Sequence, residues 1–143
     1  MKKLALATAL AFVSVFGSAF AADTQTTAVT ASILSICKFS GSAATVAFGT
    51  INPSDPAAIK SMPLNIPYKC TKGFTPAITT GTITPLTQGA DTMAFTVDPI
   101  VAVVATGFTT AVNAASNVNI AAAVWQNAPA GTYTGSVVLN INN

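Results

Sequence analysis

The chain has 143 residues, of which 51% are apolar and only 7% charged. It has no histidine, arginine or glutamate, and six lysines stand against four aspartates. This composition fits one small folded domain rather than a disordered chain, and the missing side chains exclude most acid–base, nucleophilic and metal chemistry at the outset.

The first residues predict an export signal. Lys2 and Lys3 precede an apolar run over 4–16, and Ser18, Ala19 and Ala21 supply the small residues of a cleavage site between Ala21 and Ala22. The run is too short to cross about 30 Å of hydrocarbon, so no membrane span is expected after cleavage. The remainder is formally neutral, with Lys38, Lys60, Lys69 and Lys72 against Asp23, Asp55, Asp91 and Asp98. No basic patch is left for nucleic acid. A surface so poor in charge is easier to explain when much of it is buried in an assembly.

Residues 22–36 read as an extended stretch running into Cys37, polar at first and then alternating. Val29, Ala31 and Ile33 share one phase, and Leu34 and Ile36 the other. The shift divides an N-terminal segment, 22–33, from a domain over 34–143. Ser40-Gly41-Ser42 predicts a turn, and 45–51 a short strand with Val46 and Phe48 on one face. Asn52-Pro53-Ser54-Asp55-Pro56 predicts a loop.

The clearest alternation is Met62, Leu64, Ile66, Tyr68 and Cys70, predicted to face the core. Pro63 and Pro67 on the other face lack N–H donors, which predicts an unpaired edge or a bulge. Further strands are expected over 76–80, 82–86 and 92–97, broken by Gly81 and by a turn at 88–91. Ile100 to Ala105 is apolar on both faces, and Asn113 to Asn117 reads as a polar bracket. Val118, Ile120, Ala122 and Val124 alternate up to Trp125 and predict a strand rather than a helix. The last strand carries Tyr133, Val137, Leu139 and Ile141 on one face. No stretch has a sustained helical stripe, and many short strands with even turn signals predict an antiparallel sandwich or barrel.

In an exported chain, two cysteines predict one disulfide, Cys37 to Cys70, worth about 3–4 kcal/mol in the chain-entropy picture. Catalysis finds no footing. Asp91 and Asp98 bracket a strand but read as solvated turn carboxylates, and no Ser–His–Asp set is possible without histidine. No acidic calcium loop, zinc ligand set or phosphate-binding glycine loop occurs, so no cofactor is expected. Trp125, the single tryptophan, reads as packing rather than a sugar platform.

Taken in order, AVTASILSICKFS, VAFGTI, IPYKCTKG and AGTYTGSVVLNIN make the chain resemble the spore coat protein U family. Its best-known members are subunits of archaic chaperone–usher pili. The resemblance rests on Cys37, Phe48-Gly49, Cys70-Thr71 with Gly73, and Gly131 through Tyr133 to the C-terminus. It implies an immunoglobulin-like β-sandwich lacking its last strand, filled first by a periplasmic chaperone. At an outer-membrane usher, the N-terminal strand of another copy then replaces the chaperone, giving a head-to-tail extracellular fibre. Val29, Ala31 and Ile33 would then be the donor residues, and Tyr133, Val137, Leu139 and Ile141 one groove wall. A coat layer, or a monomeric sugar-binding adhesin using Trp125, is the alternative reading.

Overall fold

The computed structural model of the protein describes residues 23–143; the export signal expected over 1–21, with Ala22, lies outside the described residues. The chain divides into two units, Met1–Ser32 and Ile33–Asn143. Within the first, the described stretch 23–32 has no regular secondary structure and is exposed throughout.

The second unit is all-β, with almost no helix. Its strands are β1 (Cys37–Phe39), β2 (Ile59–Cys70), β3 (Ala77–Gln88), β4 (Asp91–Met93), β5 (Thr96–Val97), β6 (Val112–Ala121) and β7 (Thr134–Asn142). They form two antiparallel sheets, ordered β1-β2-β6-β5 and β4-β3-β7. Apolar side chains from both sheets share the core: Leu64, Ile66 and Tyr68 of β2 and Ala114 and Val118 of β6 cluster with Ile78 of β3. Met93 of β4 joins Ile120 and Trp125 in a second cluster.

The β2 alternation is realised as expected. Leu64, Ile66, Tyr68 and Cys70 are buried, while Pro63 and Asn65 are exposed. Facing residues on β6 are smaller, with Ile66 opposite Ala114 and Leu64 opposite Ser116, so the sheet's inner surface stays level. Ser116 is buried with its hydroxyl donating to the Asp98 carbonyl at 2.7 Å, which satisfies it. The two prolines follow the edge logic. The Ser40 N–H donates to the Pro67 carbonyl, so the odd-numbered residues of β2 turn their main-chain groups toward β1. Pro63 and Pro67 thus lack a donor only on that edge, and the ladder to β6 survives. β1 pairs only with residues 68–70, leaving the rest of the edge open.

Five expectations are corrected. The predicted strand at 45–51 has no ladder. Gly81 does not break a strand: β3 runs through it, absorbing register shifts between Thr80 and Ile83 and between Thr84 and Thr87. The stretch 92–97 is two strands, because the chain leaves one sheet after Met93 and enters the other at Thr96. Met93 is buried and Phe95 and Val97 half-buried throughout, so the pattern is the same on either side of the crossing. The asparagine-rich 113–117 lies inside β6, its amides on the outer face. Finally, Ala122–Trp125 forms one helical turn, α1, closed by Gln126 N–H to the Ala122 carbonyl. The β6 ladder ends where the Ala122 N–H meets the Ala58 carbonyl, and burial of Trp125 favours the turn over continued extension.

Gly135, on the inward side of β7, has no room for a side chain. A Cβ there would lie 2.7 Å from the carbonyl oxygens of both Thr84 and Pro85. Because the obstruction is backbone, Gly135→Ala is expected to cost about 1–3 kcal/mol, read as a lower denaturant midpoint at unchanged slope. An unchanged midpoint would show that β3 yields freely at its bulge.

Candidate functional site

A groove runs between two walls that each have unpaired main chain. The first wall begins at β1, bends at Gly41, where φ is +89°, and continues as 43–51. Val46, Phe48 and Ile51 are half-buried and pack on the core, while the residues between them are largely exposed. This is strand-like patterning without a strand. Among the described residues, no hydrogen bond engages the main chain of 43–51. Such groups are ordinarily paired when taken from water.

The second wall is β7. It lies at the edge of its sheet, paired on one side with β3. Its inward residues Val137, Leu139 and Ile141, and Tyr133 just before it, are all half-buried, whereas Leu64, Ile66 and Tyr68 of central β2 are fully buried. The difference is that of a strand covered on one flank only. At one end the walls meet, where the Cys37 N–H donates to Asn143 Oδ1.

Two cavities lie along the groove. The larger, about 590 Å³, is bounded by 46–51 and by 128–133, with Leu86, Met93, Ile120 and Trp125 beneath. The smaller, about 310 Å³, lies between 39–44 and Val137 with Leu139, over Leu64 and Ile66. Tyr133 thus lines the larger cavity, Val137 and Leu139 the smaller, and Ile141 packs on the core beside them.

The polar groups of the site hold structure. Tyr133 donates its hydroxyl to the Pro129 carbonyl at 3.0 Å. Desolvation, with the Asp91 charge as a lesser cause, raises the phenol's pKa and keeps it protonated. Lys60 lies 5.6 Å from the Trp125 ring centroid and pairs with Asp55. The bond from Lys60, then that from the Ala57 N–H, lowers the Asp55 pKa. Trp125 is only 3% exposed, and its Nε1 has no partner among the described residues. It forms floor, with no open face for stacking a sugar.

Cys37 and Cys70 lie directly opposite across β1 and β2 and are disulfide-bonded. One residue on, Thr71 clamps the chain ahead of β1. Its hydroxyl donates to the Leu34 carbonyl at 2.9 Å and accepts the Ile36 N–H at 3.1 Å, and its own N–H donates to the Ile36 carbonyl. Leu34 and Ile36 are therefore tied to the second unit, although they fall outside β1. Val29 and Ile33 are 89% and 82% exposed, and Ala31 is exposed too. Asp98 accepts the Asn119 amide at 2.8 Å and braces β6. No group of three or more possible metal ligands occurs among the described residues, and no described helix is long and apolar enough to cross a membrane.

Sequence reading missed the floor. Leu86, Met93, Ile120 and Trp125 come from four separate elements, β3, β4, β6 and α1, and only folding assembles them. It missed the Thr71 clamp as well, because a threonine after a cysteine carries no signal of its own. Comparison of the chain with family models, with curated proteins and with solved structures returned no match.

Proposed function

We propose that the protein is the structural subunit of an extracellular pilus, polymerised by donor-strand exchange. The observation that carries this reading is the groove over an apolar floor, with 39–51 on one side, where 43–51 makes no main-chain hydrogen bond, and 128–133 running into edge strand β7 on the other. In this reading the body is an immunoglobulin-like sandwich lacking its last strand. An extended segment placed between the walls would bond to both and bury alternate side chains.

The chain carries such a segment. Val29, Ala31 and Ile33 alternate with Ala28, Thr30 and Ser32, and the two large ones are among the most exposed apolar side chains described. Their burial would contribute about 3–5 kcal/mol. The Thr71 clamp ties Leu34 and Ile36 beside the Cys37–Cys70 bond, so the donor segment leaves the body at that point, and we read it as given to a second copy. One groove and one donor per copy make a head-to-tail contact that does not close, hence a fibre.

Such an open groove needs temporary cover, which gives roles to a periplasmic chaperone and an outer-membrane usher on a route to the cell surface. Fibres there would serve adhesion or biofilm formation. The adhesin alternative gains nothing from Trp125, buried as it is.

The test is electrophoresis of unboiled protein secreted from cells that carry the matching assembly proteins, with electron microscopy of the same material. A ladder that collapses to one band on boiling, together with filaments, is expected. A single monomer band in both lanes and no filaments would end the proposal.

A further inference from the structure

The proposed exchange leaves the register open, and the geometry of the groove narrows it. We infer that the incoming strand runs antiparallel to β7, with Val29 opposite Val137, Ala31 opposite Gly135 and Ile33 opposite Tyr133. This rests on the strand-exchange reading and adds where each side chain goes.

Spacing carries the argument. Val29 and Ile33 are four residues apart, about 13 Å in a strand. Val137 of β7 lines the smaller cavity and Tyr133, the residue just before β7, the larger, also four residues apart. Gly135 stands between them on the same face, where β7 carries no side chain because the Thr84 and Pro85 carbonyls press against it. The donor has its own small residue, Ala31, midway between its two large ones. Sliding the strand by two residues either way takes one of the large side chains out of line with its cavity.

Direction follows from two facts. Every ladder in the second unit is antiparallel, and antiparallel pairing is slightly the more stable. It also sends Ile33, the larger side chain, into the 590 Å³ cavity and Val29 into the 310 Å³ one.

Cysteine pairs on the outward, exposed faces test the register without touching the groove. Full-length subunits carrying Thr30→Cys with Ser136→Cys, or Ser32→Cys with Thr134→Cys, are expected to form ladders that survive boiling and collapse only with reductant. Directly opposed residues lie within disulfide reach. The exchanged combinations, Thr30→Cys with Thr134→Cys and Ser32→Cys with Ser136→Cys, are expected to stay heat-labile. Cross-linking of the exchanged combinations instead would overturn the register. So would heat-labile ladders without cross-links in all four variants, a result that leaves strand exchange standing. Absence of any ladder, for these variants and the parent alike, would remove strand exchange and the register together.

Discussion

Replacing Val29 and Ile33 together by aspartate is expected to abolish the heat-labile ladder while leaving the melting temperature of the body unchanged. Both side chains are more than four-fifths exposed in the subunit, so the change removes nothing that stabilises the isolated fold. In the proposed fibre each would occupy an apolar cavity. The lost transfer energy is about 3–5 kcal/mol, and seating two carboxylates without partners costs several kcal/mol more. Every 1.4 kcal/mol is about tenfold, so the affinity for a groove should fall by roughly four orders of magnitude or more. Thr30→Asp is the control. It lies in the opposite phase, where a charge would face water, and its ladder should persist because a strand buries only alternate residues. A ladder in the double variant would remove these residues from the donor role. Equal loss in Thr30→Asp would show that the buried phase is the other one.

Removing the disulfide should produce the largest loss of stability. Cys37 and Cys70 are separated by 33 residues and are 7% and 0% exposed. Loop closure over that span is worth about 3–4 kcal/mol in the chain-entropy model, or on the order of 10–20 °C in melting temperature for a domain of this size. The position makes the bond matter for assembly as well. β1 is only three residues long, and the first groove wall grows from its end. Without the bond, the root of that wall is tied to β2 by three β1 pairs and the Ser40–Pro67 hydrogen bond, and the wall itself is held only by the packing of Val46, Phe48 and Ile51. Cys37→Ala with Cys70→Ala should therefore weaken polymerisation even at temperatures where the body stays folded. The check is calorimetry together with ladder formation well below the new midpoint. Normal ladders there would show that β1 holds its place without the link.

The sequence alone determined a good part of this protein. Alternation from Met62 to Cys70 assigned the inner face of β2, because a strand's side chains alternate whatever its neighbours are. Two cysteines left one possible intramolecular pairing, and the folded chain joins Cys37 to Cys70. Pro63 and Pro67 announced an open edge, since a residue without an N–H disturbs only the side toward which it would have donated. Val29, Ala31 and Ile33, and Tyr133, Val137, Leu139 and Ile141, were legible as apolar phases, and the inventory of side chains left little for catalysis.

Which strands find partners was decided only in three dimensions. Residues 45–51 carry a strand pattern and have no ladder, while Asn113 to Asn117 read as a polar bracket between segments and sit inside β6. The stretch from Thr92 to Val97 keeps one alternation yet serves two sheets. Ala122–Trp125 closes into a helical turn because Trp125 is buried there. The reason is common to all four. Alternation records which side chains leave water, a property of one segment, whereas a ladder needs a second segment at about 4.8 Å, which only the tertiary fold can bring or withhold. The groove is where it is withheld: its walls were written in the sequence, but that they face each other unpaired, over a floor drawn from four separate segments, is a fact of the folded chain.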